Sequence, residues 1–83
     1  MKLKIIEVWW NDAYTKGGWY EYDRKKHHRE VILVPSYGIE VDHDKDWLVL
    51  AFGYNKEAND FVGEFSIPAQ MVKRKRVLKT VEV

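Results

Sequence analysis

With no cysteine among its 83 residues, this chain has neither a disulfide framework nor a thiolate metal site to hold it together. A domain this short buries only about two-thirds of the surface that its extended chain would expose. Its stability must come from apolar and aromatic packing, extended by oligomerisation where one core does not suffice. The material is present: 46% of the residues are hydrophobic and 14% aromatic, well above a chain that stays disordered. No linker, repeat or low-complexity tract divides it, so residues 1–83 read as a single domain.

The longest apolar run, "WLVLAF" at 47–52, is far too short to span a bilayer. The start, "MKLKIIEVWW", carries Glu7 inside its apolar part and lacks a small-residue cleavage site, unlike a signal peptide. These features predict a cytoplasmic protein with no membrane partner.

Five segments carry strand chemistry. "KLKIIEVWW" is rich in Ile, Val and Trp, and its alternation breaks at Ile5–Ile6, which predicts a bulge. "NDAYTKGG" reads as loop, with Gly17–Gly18 free to take positive φ, and "DRKKHHRE" as loop or one helical turn capped by Asp23. "EVILVPSYGIEV" is a second strand in which Pro35 demands an edge or a bulge. "DHDKD" turns into "WLVLAFGY", and "NKEAND" turns into "FVGEFSI". "PAQMV" is too short for an α-helix, but Pro68 suits the start of one helical or 3-10 turn. "KRKRVLKTVEV" closes the chain as a strand with Val77, Val81 and Val83 expected on one face.

This order resembles the SH3-like fold, and "GEFSIPAQMV" at 63–72 looks like its pattern of glycine, an apolar residue, proline and an apolar pair before the last strand. The expectation is an all-β, small SH3-like five-stranded barrel with a long first loop and a one-turn helix before the last strand. Such barrels fold the long loop, here residues 11–29, over the sheet. That assigns Trp10 and Trp19 to packing and leaves Trp9, Tyr14, Tyr20 and Tyr22 as candidates for exposure.

A second resemblance spans residues 10–68. Trp10-x-Asp12-Ala13, then Gly18-Trp19, then Val34-x-Ser36-x-Gly38, then Ile67-Pro68 is similar to a group of small uncharacterised phage and prophage proteins. It implies a phage origin, action in the host cytoplasm and host-directed roles such as anti-defence. The chain departs from that pattern in its doubled Trp9–Trp10 and its basic middle segment.

Net charge is only +1, yet eight of the fourteen Lys/Arg fall in two clusters: Arg24, Lys25, Lys26 and Arg29, and Lys73 to Arg76. Acidic residues gather in "EVDHDKD" at 40–46. Segregated patches on a near-neutral chain point to an anionic ligand or a complementary partner, or simply to solvated faces. Phosphates need Arg/Lys pairs or backbone amides, and bases need flat stacking partners. The stretch "WWNDAYTKGGWYEYDRKKHHRE" at 9–30 offers both. The candidate ligand-binding residues are Trp9, Asp12, Tyr14, Tyr20, Arg24, Lys25, Lys26, Arg29 and Tyr37. Asp12 can accept from a base or ribose hydroxyl, or merely cap its own loop. In a strand, Lys73 and Lys75 face opposite to Arg74 and Arg76, so an edge or oligomer-facing position is expected for the last strand.

Catalysis finds little support. Ser36 and Ser66 lack a nucleophile elbow, and adjacent His27 and His28 point apart in an extended segment. "DHDKD" has the 1-3-5 spacing of a calcium loop, but Trp47 stands where glycine is needed and Gly53 where a bidentate Glu belongs. No enzyme, metal or cofactor is expected. The preferred reading is a non-enzymatic binding protein, likewise expected to oligomerise, that sequesters a small anionic, nucleotide-like ligand such as a nucleotide second messenger. Two rivals stand: a protein-interaction module that inhibits a host factor or assists virion assembly, and a single-stranded nucleic-acid binder. A proline-ligand groove built from Tyr14, Tyr20, Tyr22 and Trp47 fits less well, because the loop that usually reads a basic peptide is itself basic in this chain.

Overall fold

A run rich in β-branched and aromatic residues puts β1 (Lys2–Asp12) inside a sheet, with a strand on either side. The computed structural model describes residues 1–12 and 32–83, the side chains of Asp12 and Ile32 excepted. Its strands are β1, β2 (Ile32–His43), β3 (Trp47–Ala51), β4 (Gly53–Asn55), β5 (Asp60–Val62), β6 (Phe65–Pro68) and β7 (Val72–Glu82). One 3-10 turn, Ala69–Met71, precedes β7. Five strands form an antiparallel sheet in the order β6-β3-β2-β1-β7, and β4 and β5 form a separate hairpin. The all-β architecture, the five-stranded sheet and the single turn before the last strand are as expected.

One face of the sheet carries the core. Ile6 and Val8 of β1, Leu48 and Leu50 of β3, and Ile67 of β6 are at most 1% exposed, with Trp10, Phe65 and Val72 packed against them. Trp10 and Phe65 meet edge to face with ring centroids 5.6 Å apart. Their strands are separated by two others, a distance of roughly 14 Å on a flat sheet, so the sheet curls strongly over its core. The Ala69 amide donates to the Asp46 carbonyl at 2.9 Å and ties the 3-10 turn to the β2–β3 connection. Among the described residues no ladder joins β6 to β7, so the curl does not close into a hydrogen-bonded barrel. Nor, among those residues, is any helix long and apolar enough to cross a membrane.

Several local expectations are met. The ladder between β1 and β7 shifts at Ile5/Ile6, but the extra residue is Leu78 of β7; β1 itself runs without a break against β2 there, so the expected bulge lies in the partner strand. Pro35 pairs with Trp9 in a part of β2 that has no β3 partner, since that ladder begins at Ile39. The missing amide therefore costs the sheet nothing on that side. Trp10 packs into the core and donates its indole N–H to the Ser36 hydroxyl at 2.9 Å. Asp44 turns "DHDKD" back on itself by accepting the amides of Asp46 and Trp47 at 2.8 and 2.7 Å. These donors lower the Asp44 pKa, as turn chemistry does.

Other boundaries move. Asn11 and Asp12 belong to β1, paired with Leu33 and Ile32, so the first loop starts later than expected. The third and fourth runs each divide, at Phe52 and at Gly63–Glu64; Gly63 has φ +71° and its missing Cβ makes room for the Phe52 ring. Pro68 ends β6 and flanks the 3-10 turn instead of starting it. Val77 and Val81 do not share a face. Val77 lies opposite Ile6 and Val81 opposite Leu3, because Leu78 is an extra residue inserted between the Val77 and Lys79 pairings. A bulge shifts every later side chain to the other side.

Candidate ligand-binding face

On the face of the sheet away from the core, register lines up two rows of side chains. Tyr37, Glu7 and Arg76 lie opposite one another across β2, β1 and β7, and Pro35, Trp9 and Arg74 form the next row. Residues directly opposite in an antiparallel ladder point to the same side, so an acid, two aromatics and two arginines converge on one patch.

Glu7 organises it. The carboxylate is only 7% exposed, which an unpaired charge would not tolerate. Its Oε1 accepts the Trp9 indole N–H at 3.1 Å, and its Oε2 accepts from Arg76 Nη2 at 3.2 Å. Arg74 Nη2 lies 3.9 Å from Oε1. The Trp9 hydrogen bond is the main reason that the Glu7 pKa falls below its ordinary value; burial opposes the shift, and the Tyr37 hydroxyl and Arg76 reinforce it. The same contact with Glu7, with burial second, raises the Tyr37 pKa. Glu7 thus fixes the indole edge of Trp9 and the Arg76 fork, while Tyr37 stays 54% exposed and the two guanidinium groups more than half exposed.

Chemically, the patch presents a half-buried indole, an exposed phenol and two arginines with one carboxylate between them. The arginine heads retain N–H donors for an oxyanion, and rings held in place lose little entropy on stacking a base.

Of the residues singled out in the sequence, Trp9 and Tyr37 are brought together on this patch. Asp12 is placed by its backbone at the end of β1, opposite Ile32; its side chain is not described. Tyr14, Tyr20, Arg24, Lys25, Lys26 and Arg29 lie outside the described residues, as do Trp19 and Tyr22. Sequence reasoning missed Glu7, Arg74 and Arg76 as one group. The signal was available in part: Glu7 is the one charged residue within the run Ile5–Trp10. Among the described residues β7 is an edge strand, as expected, with Lys73 the extra residue of a bulge. Lys75, on the other face, donates to Glu40 at 2.8 Å and lies 3.0 Å from Nδ1 of His43.

Because the folded-state pKa of Glu7 is depressed, its ionised form contributes stability above the ordinary carboxylate pKa. That contribution is lost as pH falls through the lower folded value. Wild-type protein is therefore expected to lose melting temperature on acidification below the ordinary value of 4.5. Glu7→Gln should start several degrees lower at neutral pH and show a shallower acid decline. Thermal melts of both proteins across that range check this; parallel curves would mean that the Glu7 carboxylate does not hold the patch together.

The chain matches no family model, no curated protein and no solved structure.

Proposed function

We propose that this chain is a non-enzymatic binding protein that takes a small anionic ligand with a flat ring, a nucleotide foremost, on the outer face of β2, β1 and β7. The observation that carries this reading is the convergence of Trp9, Tyr37, Arg74 and Arg76 around the buried carboxylate of Glu7. Trp9 and Tyr37 stack the ring, and Arg74 and Arg76 pair with phosphate. Asp12, Tyr14, Tyr20, Arg24, Lys25, Lys26 and Arg29 stay sequence-based candidates for the same ligand, their side chains lying outside the described part of the structure. The role is sequestration without cleavage. The phage-type pattern favours a nucleotide second messenger of host immunity as the ligand and anti-defence in the host cytoplasm as the purpose.

The test is titration of the protein with a cyclic dinucleotide and a nucleoside monophosphate, followed by calorimetry and tryptophan fluorescence. The paired variant Arg74→Gln/Arg76→Gln keeps donors for Glu7 but removes both charges. It should weaken binding by about tenfold to a hundredfold, the loss of one or two charge-assisted contacts. Because both substitutions leave the buried Glu7 carboxylate without a cation beside it, the variant should melt several degrees lower, and circular dichroism checks that it is folded at the temperature of the titration. A binding constant unaltered by both substitutions would overturn the site. A steep salt slope with tighter binding to single-stranded oligonucleotides would replace the nucleotide reading with a polyanion one.

A further inference from the structure

The nearly neutral charge of this chain is not neutral in space. Residues 39–68 hold seven carboxylates against two lysines, and β7 holds five Lys/Arg against Glu82 alone. The sheet order puts β6 and β3 towards one side and β7 at the far edge; Lys75 reaches Glu40 at 2.8 Å, which leaves Asp42 and Glu64 as the carboxylates beside the groove on the β3 side.

Each side also carries an exposed apolar feature. On the acidic side an open groove of about 530 Å³ is lined by Val41, Val49 and Phe61, with Asp42 and Glu64 at its rim and glycine at position 63. Val41 is the extra residue of a bulge between the Glu40 and Asp42 pairings, and it is 41% exposed. On the basic side the bulge at Leu78 breaks the alternation of β7. Val77 and Leu78, consecutive there, are both close to half exposed, between Arg76 and Lys79.

We infer that copies of this chain associate head to tail, the Val77–Leu78 edge of one copy seating on the Val41–Val49–Phe61 groove of the next. An apolar pair flanked by cations meets an apolar floor flanked by carboxylates. A two-fold pairing of β7 with itself would instead oppose two strongly basic edges, since an isologous contact brings the same patch together. The bulges at Lys73 and Leu78 also interrupt the edge ladder, which disfavours plain strand addition. Side chains rather than backbone therefore make the contact. The geometry is heterologous, so each copy keeps one free groove and one free edge until a ring closes or a chain ends. The patch is small beside the roughly 800 Å² per partner of a standard interface, so association is weak and falls with salt. Val49 and Asp42 lie on the same outer face as Trp9 and Tyr37, but neither ring lines the groove, so the test is run on protein without added ligand.

Sedimentation velocity over a concentration series tests it. The groove variant is Asp42→Lys/Glu64→Lys and the edge variant is Leu78→Asp; circular dichroism checks that each is folded. Wild type should self-associate at about 20 mM salt and dissociate at about 500 mM. Each variant alone should associate at least about tenfold more weakly, while an equimolar mixture should form a one-to-one dimer and nothing larger. The single variants Glu64→Lys and Lys79→Glu, both at exposed positions, replace any that misfold. Wild type monomeric throughout, variants that assemble as wild type does, or a mixture that stays monomeric would each overturn the inference.

Discussion

Leu50→Ala is expected to cost about 2–5 kcal/mol, because it removes transfer free energy and leaves a cavity that a curled sheet cannot fully close. Leu50 is 1% exposed in the cluster with Ile6, Val8, Leu48 and Ile67, and it lies opposite Phe65 on the neighbouring strand. A chain of this length has roughly 4–12 kcal/mol of total stability, so the single change removes a large share of it. The melting midpoint should fall by on the order of 10–30 °C. Thermal unfolding followed by circular dichroism reads this directly. A loss below about 1 kcal/mol would mean that the site collapses freely and that the core lies elsewhere.

Gly38→Val should be nearly as damaging for a different reason. A Cβ at position 38 would stand 2.9 Å from the Ala51 carbonyl oxygen and 3.2 Å from the Leu50 Cβ. The first of these is backbone, in the part of the sheet where Ile39 pairs with Ala51. The strand itself must shift, because no side chain can rotate out of the way. Overpacking of this sort typically costs about 1–3 kcal/mol, and the branched valine should reach the upper end of that range, with Gly38→Ala lower. Urea titrations of the two variants check the order. A valine variant as stable as wild type would show that β2 and β3 separate locally without penalty.

That glycine also changes the meaning of the phage-type pattern. Val34 lies opposite Trp10, Ser36 accepts the Trp10 indole, Gly38 lets β3 approach, and Ile67 is in the core. These motif residues are occupied in packing. The candidate ligand face uses Glu7, Trp9, Tyr37, Arg74 and Arg76, of which none belongs to the pattern. Fold and candidate function therefore sit on opposite faces of the same strands.

By itself the sequence determined what is local. Alternation, turn residues and proline placed the strand runs, the Asp44 turn and the 3-10 turn, foresaw that Pro35 needs a stretch without a β3 partner, and assigned Trp10 to packing. Each of these depends on a residue and its near neighbours. Only the tertiary structure decided which side chains meet. Glu7 and Arg76 are 69 residues apart, and nothing between them specifies that β7 returns along β1 in that register. The bulge at Leu78 was equally invisible, yet it turns Val77 towards Ile6 and Val81 towards Leu3. Strand periodicity follows from covalent geometry, whereas pairing and register come from burying one face of every strand at once.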